Sequence, residues 1–158
     1  MKKLRYVLIL LPIILSLTSC LYYHNYTVIE TNEKFSALTI IPLEEENCQL
    51  FIWHLQQFPI LSRRFESVVS IDGQSGKYQI QDCEILIYDK GNLLTPYNFT
   101  KNKTHYEVEF SMPFFKPVNL IQKVKITLLY NDEVVTIQRT YHLQYHRGMS
   151  YWEVAMGI

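Results

Sequence analysis

The chain has 158 residues, room for one compact domain and hardly for two. Hydrophobic residues at 48% against 19% charged exclude a disordered chain. Fifteen basic residues balance fifteen acidic ones, so the positive excess that nucleic-acid binding draws on is missing.

The amino terminus reads as an address rather than as part of a fold. Lys2, Lys3 and Arg5 precede an apolar run from Val7 to Leu17, interrupted only by Pro12 and Ser16. Such a run is too short to cross a hydrocarbon layer of about 30 Å as a helix. A basic start and a short apolar core are the layout of a signal peptide, so residues 1–19 are set apart from the fold.

The run ends in Leu17-Thr18-Ser19-Cys20, an aliphatic residue, two small ones and a cysteine. This segment resembles the lipobox of bacterial lipoprotein precursors. The resemblance implies cleavage before Cys20 and a diacylglyceryl group on its sulfur, with fatty acyl chains such as palmitate. It covers this segment alone and implies no domain family. Two or three acyl chains hold a protein stably, at about 0.8 kcal/mol per buried CH₂. The membrane is therefore the first expected partner, and no transmembrane helix is expected after residue 20. Leu21 stands where inner-membrane retention is associated with aspartate, which by the same resemblance favours the outer membrane of a two-membrane envelope.

Without residues 1–19 the chain keeps twelve basic against fifteen acidic residues, a net charge of −3. That mild acidity argues against nucleic acid and against anionic headgroups as partners. Residues 20–26 are expected to hold the lipidated cysteine and a tether of at most about 25 Å. Tyr22, Tyr23 and Tyr26 fit a lipid–water interface or the opening of the first strand. The domain proper is expected over residues 27–158, with the first strand from about Thr27.

Strand signals follow in order. Residues 36–43 form a strand before Glu44-Glu45-Glu46. Residues 44–58 carry two signals: Cys48, Phe51, Leu55 and Phe58 fall at helical spacing, yet Leu50-Phe51-Ile52-Trp53 has the composition strands favour, and the expectation is strand. Phe65 to Ile71 runs into an Asp72-Gly73 turn. Cys83, Ile85 and Ile87 share a face, closed by Asp89-Lys90-Gly91-Asn92. His105 to Met112 alternates, with Tyr106, Val108 and Phe110 on one side. The clearest hairpin joins Lys123–Tyr130 to Val134–Tyr145 through Asn131-Asp132-Glu133. The last residues place Trp152, Val154, Met156 and Ile158 on one face, either as a packed final strand or as an apolar edge for a partner protein. Seven or more short strands joined by turns predict an all-β fold, an antiparallel β-sandwich of immunoglobulin-like architecture, with a small barrel as the other topology.

Cys48 and Cys83 are the remaining cysteines, and export to an oxidising compartment predicts a disulfide between them. Trp53 comes too soon after Cys48 for a true immunoglobulin domain, so the architecture is expected and the family is not. His142 and His146, four residues apart on one strand, stand about 13 Å from each other and cannot chelate one ion. Gly73-Gln74-Ser75-Gly76-Lys77 matches neither a nucleophile elbow nor a phosphate loop. The expectation is no enzyme, no cofactor and no metal. Tyr97, Phe99, Phe114 and Phe115 fall in or beside probable loops and, with Trp152, are the candidate contacts for a partner or ligand. Two functions fit: a non-catalytic accessory or scaffold subunit of an envelope assembly, or a surface module binding carbohydrate or another small ligand.

Overall fold

The structure, a computed structural model, describes residues 22–29, 35–44, 47–57, 63–73, 77–112 and 117–150. Cys20, Phe114, Phe115 and Trp152 lie outside the described residues, as does the apolar segment before Cys20.

Among the described residues eleven strands run β1 (Tyr22–Ile29), β2 (Phe35–Ser36), β3 (Leu38–Pro42), β4 (Gln49–Gln57), β5 (Arg64–Asp72) and β6 (Gln79–Asp89). They continue with β7 (Asn92–Leu93), β8 (Pro96–Lys101), β9 (His105–Ser111), β10 (Asn119–Tyr130) and β11 (Glu133–Ser150). The hydrogen-bonded path β7-β6-β10-β11-β1-β4-β5-β9-β8 is antiparallel throughout, with β2 on β1 and β3 on β4. It doubles back where β1 meets β4 through one residue pair, Asn25 opposite Gln56. The two halves are thus two antiparallel sheets laid face to face, the expected β-sandwich. Elsewhere the turn after β8 ties the halves: the Thr104 carbonyl accepts from the Ile71 N–H of β5, and the Lys103 carbonyl from the Ile80 N–H of β6.

The alternation read from sequence sets the inner faces. On β10 Leu120, Val124, Ile126 and Leu128 are buried, and on β6 Ile85 and Ile87; from the other half come Leu50, Ile52, Phe65, Val69, Val108 and Phe110. Burying each such large side chain contributes about 1.5–3 kcal/mol before entropy is counted. Tyr26 crosses this core, its ring edge-on to Phe65 at 5.5 Å and its hydroxyl donating to the Pro117 carbonyl at 3.0 Å.

Two turns carry the hairpin chemistry. Asn131 and Asp132 have φ of 49° and 65° between the Tyr130–Glu133 pair. Lys90 and Gly91 have 48° and 86° between Asp89 and Asn92. Both residues of each turn are left-handed, the geometry that matches strand twist in two-residue loops. Gly73 has φ of +151°, and a Cβ there would lie 2.8 Å from the Cys48 sulfur.

Several expectations change. β1 starts at Tyr22, so the ladder opens five residues before Thr27 and takes in most of the expected tether. Residues 36–43 are two strands with different neighbours: β2 pairs with β1, while β3 pairs with β4. Residues 49–57 are strand, as expected, and the helical spacing has a local cause. A bulge between Trp53 and Gln56 resets the pleat, so that His54 and Leu55 are both buried in succession. Tyr97 and Phe99 lie on a strand, β8, and not in a loop; pairing with β9 extends this stretch despite Pro96.

Cys48 and Cys83 are buried thiols rather than a disulfide. Cys48 leads into β4 and packs against Gly73, whereas Cys83 stands in mid-β6 opposite Ile126 of β10. Burial pushes the Cys83 thiol up to about 12, which suits a core residue and not a reactive one.

Candidate functional site

The outer face of the β4-β5-β9-β8 sheet is read from its register. One row across it is Trp53, Val68, Glu107 and Thr100; the next is Gln56, Glu66, Glu109 and Asn98. Alternation on β5 and β9 therefore brings Glu66, Glu107 and Glu109 together, with carboxylate oxygens all within 4.8 Å of one another. Like charges on facing strand positions repel. Glu66 responds with a carboxyl pKa raised above its ordinary value, by partial burial first and then by Glu107 and Glu109. One Glu109 oxygen, Oε2, is buried without a hydrogen-bond partner. His105 Nε2 lies 3.4 Å from Glu107 Oε2. Three half-buried carboxylates offer oxygen ligands to a cation. Beside them Trp53, Gln56, Glu66 and Val68 line a shallow depression of about 280 Å³.

At the margin of this face β8 is exposed along its whole length and pairs with β9 on one side only among the described residues. Tyr97 is 61% and Phe99 66% exposed. Tyr97 is held by Arg64 of β5, whose guanidinium lies 4.8 Å from the ring centre and whose Nη2 donates to the hydroxyl at 3.4 Å.

The one fully buried imidazole among the described residues belongs to the scaffold. His54 of β4 reaches across the core to Gln122 of β10, Nδ1 to Oε1 at 2.7 Å. The Gln122 amide donates to Ser67 Oγ of β5 at 2.8 Å, and Ser67 donates to the Trp53 carbonyl at 2.9 Å. The donors fix the tautomer: Ser67 and Gln122 use their hydrogens in one direction, so Nδ1 carries the imidazole proton. His54 Nε2 then accepts from the Thr39 hydroxyl at 2.9 Å. Tyr141 closes the pocket edge-on, 4.8 Å between ring centres. Burial pushes the His54 pKa down to about 4, the bond to Gln122 opposing in part. His54 is thus a neutral cross-link between layers.

Of the residues singled out from sequence, Tyr97 and Phe99 both lie on β8. His142 is exposed on β11, away from them. The carboxylate cluster and the His54–Gln122–Ser67 chain were not foreseen. Glu66, Glu107 and Glu109 each sit at an outward position of a predicted strand, so the signal was there; which strands pair was not.

No protein-family model matches the sequence, and no curated protein matches it. Among solved structures, the chain is similar to a DUF4785 family protein from Legionella pneumophila subsp. pneumophila. The two share 12% identity and a TM-score of 0.46 over 63% of this chain and 28% of that one.

Proposed function

We propose that the chain is a lipid-anchored protein of the bacterial envelope, the outer membrane where there are two. In this reading it is a non-catalytic accessory or scaffold subunit of a membrane-associated assembly. The observation that carries the reading is the adjacency of Leu17-Thr18-Ser19-Cys20 to a β-sandwich whose first strand starts at Tyr22. An acylated Cys20 would hold that sandwich against the bilayer with almost no tether. The partner contact falls on β8: a strand at the sheet edge among the described residues, with two exposed aromatic rings, suits addition of a strand from another protein. The engagement of both His54 nitrogens within the core supports a structural part for that residue.

Metabolic labelling with radioactive palmitate tests the anchor. Wild type is expected to take the label and sediment with membranes, and Cys20→Ala to do neither. An unlabelled wild type, or a labelled Cys20→Ala, removes the anchor from the account. Phe99→Asp tests the contact: the protein should stay folded and anchored while losing an otherwise stoichiometric partner.

A second reading, a module for a carbohydrate or another small ligand, draws on the depression where Trp53 lies beside Glu66 and Gln56. An indole face flanked by polar groups suits a sugar ring. Saturable glycan binding lost in Trp53→Ala would favour it over the scaffold reading.

A further inference from the structure

The solvent face of the other sheet is polar along most of its length. Outward positions are Lys123, Lys125 and Thr127 on β10 and Thr136, Gln138 and Thr140 on β11, paired in register. The pattern breaks beside the hairpin turn, where Leu129 faces the exposed Val134, and at one row near the other end. Tyr88 of β6 faces Ile121 of β10, which faces His142 of β11. Ile29, one residue past the Val28–Leu143 pair, extends the row onto β1. Ile29 is 48% exposed and Ile121 37%. With Leu120, Leu143, Lys90, Gly91 and Asn119 these side chains line a groove of about 580 Å³, within the range of sites for small organic ligands.

The groove has a charge preference. Among the described residues its lining holds the Lys90 ammonium, the His142 imidazole and the Asn119 amide, and no carboxylate. A second ammonium, that of Lys123, sits 5.2 Å from the centre of the Tyr88 ring. The adjacent acid, Asp89, is not among the lining residues; alternation turns it to the opposite face from Tyr88. Apolar walls with a cationic rim fit a ligand of matching polarity. We infer that this groove binds a small amphipathic anion, an aliphatic body on the Tyr88–Ile121–Ile29 row with a carboxylate or similar head at Lys90. The site is separate from β8 and independent of the anchor.

Full-length protein in nanodiscs, labelled with a decanoate analogue carrying a photoreactive diazirine, tests this directly. Label is expected on peptides bearing Ile121 and His142, displaced by decanoate and not by decylamine. Lys90→Glu should lower labelling at least about tenfold, the worth of one charge-assisted contact. Ile121→Asp, at an exposed position, should abolish it with the thermal midpoint unchanged; if that variant unfolds, Lys90→Glu decides alone. Label spread over the surface, equal displacement by decylamine, or indifference to Lys90→Glu overturns the inference.

Discussion

Acidification should strike the fold at His54. The imidazole ordinarily titrates at 6.5, and burial between the sheets pushes it down to about 4. Between those values the unfolded chain binds a proton that the native state refuses, so stability falls as pH drops from 6.5 towards 4 and is untouched by this group above 6.5. A separation of about 2.5 pH units at about 1.4 kcal/mol each is about 3.5 kcal/mol, of which about 3 kcal/mol is lost by pH 4, a large part of the stability of a small domain. The structural cause is visible: a protonated Nε2 would present a hydrogen where it now accepts one from Thr39, in a site with no water-facing route. Urea unfolding of wild type and His54→Gln from pH 7 to pH 4 measures the effect. At pH 7 the variant should be less stable by about 1–2 kcal/mol, for a hydrogen bond lost or lengthened. On acidification the difference should move by about 3 kcal/mol in the variant's favour, so the two curves cross. Subtracting one protein from the other cancels the carboxylates, including Glu66, whose raised pKa works in the opposite sense. Parallel curves would refute a neutral, buried His54.

Other perturbations follow from the same geometry. Gln122→Leu leaves one His54 nitrogen buried without a partner and should cost about 1–3 kcal/mol in urea unfolding, with part recovered in the double variant His54→Leu/Gln122→Leu. Gly73→Ala puts a methyl 2.8 Å from the Cys48 sulfur at a φ that side chains avoid, and should destabilise by about 1–3 kcal/mol; an unchanged thermal midpoint would contradict the packing of Cys48. Glu66→Gln relieves the three-carboxylate cluster and should stabilise at pH 7 by a few tenths to about 1 kcal/mol, a gain that shrinks as the wild-type carboxyl protonates in acid.

The legible part of this protein was its alternation. Val124, Ile126 and Leu128 against Asn131-Asp132 announce a hairpin because apolar period and turn chemistry are both local. Residues 44–58 carry a helical spacing beside their strand composition because a bulge at Trp53–Gln56 changes the period within one strand, and a bulge is a property of the pair. The 36–43 strand divides at Ala37 for the same reason: β2 and β3 are defined by their neighbours, β1 and β4. Tyr97 and Phe99 were picked out by type, but their place on an exposed edge depends on β9. The carboxylate cluster and the Thr39–His54–Gln122–Ser67 chain needed strand order and layer contact, which are set by long-range pairing. Cys48 and Cys83 show the converse: residue type and compartment favour a bond, and the fold buries both as thiols among apolar neighbours.

The most direct test of the scaffold account is in-cell crosslinking from β8. A photoreactive amino acid replaces Phe99 in the full-length, membrane-bound protein, and the same residue placed at Gln138 on the opposite sheet serves as control. The account predicts one or two envelope proteins captured in stoichiometric amounts from position 99 and not from 138, and none when Cys20→Ala releases the chain from the membrane. Equal capture at both positions, or a wild-type chain that emerges alone, contradicts it.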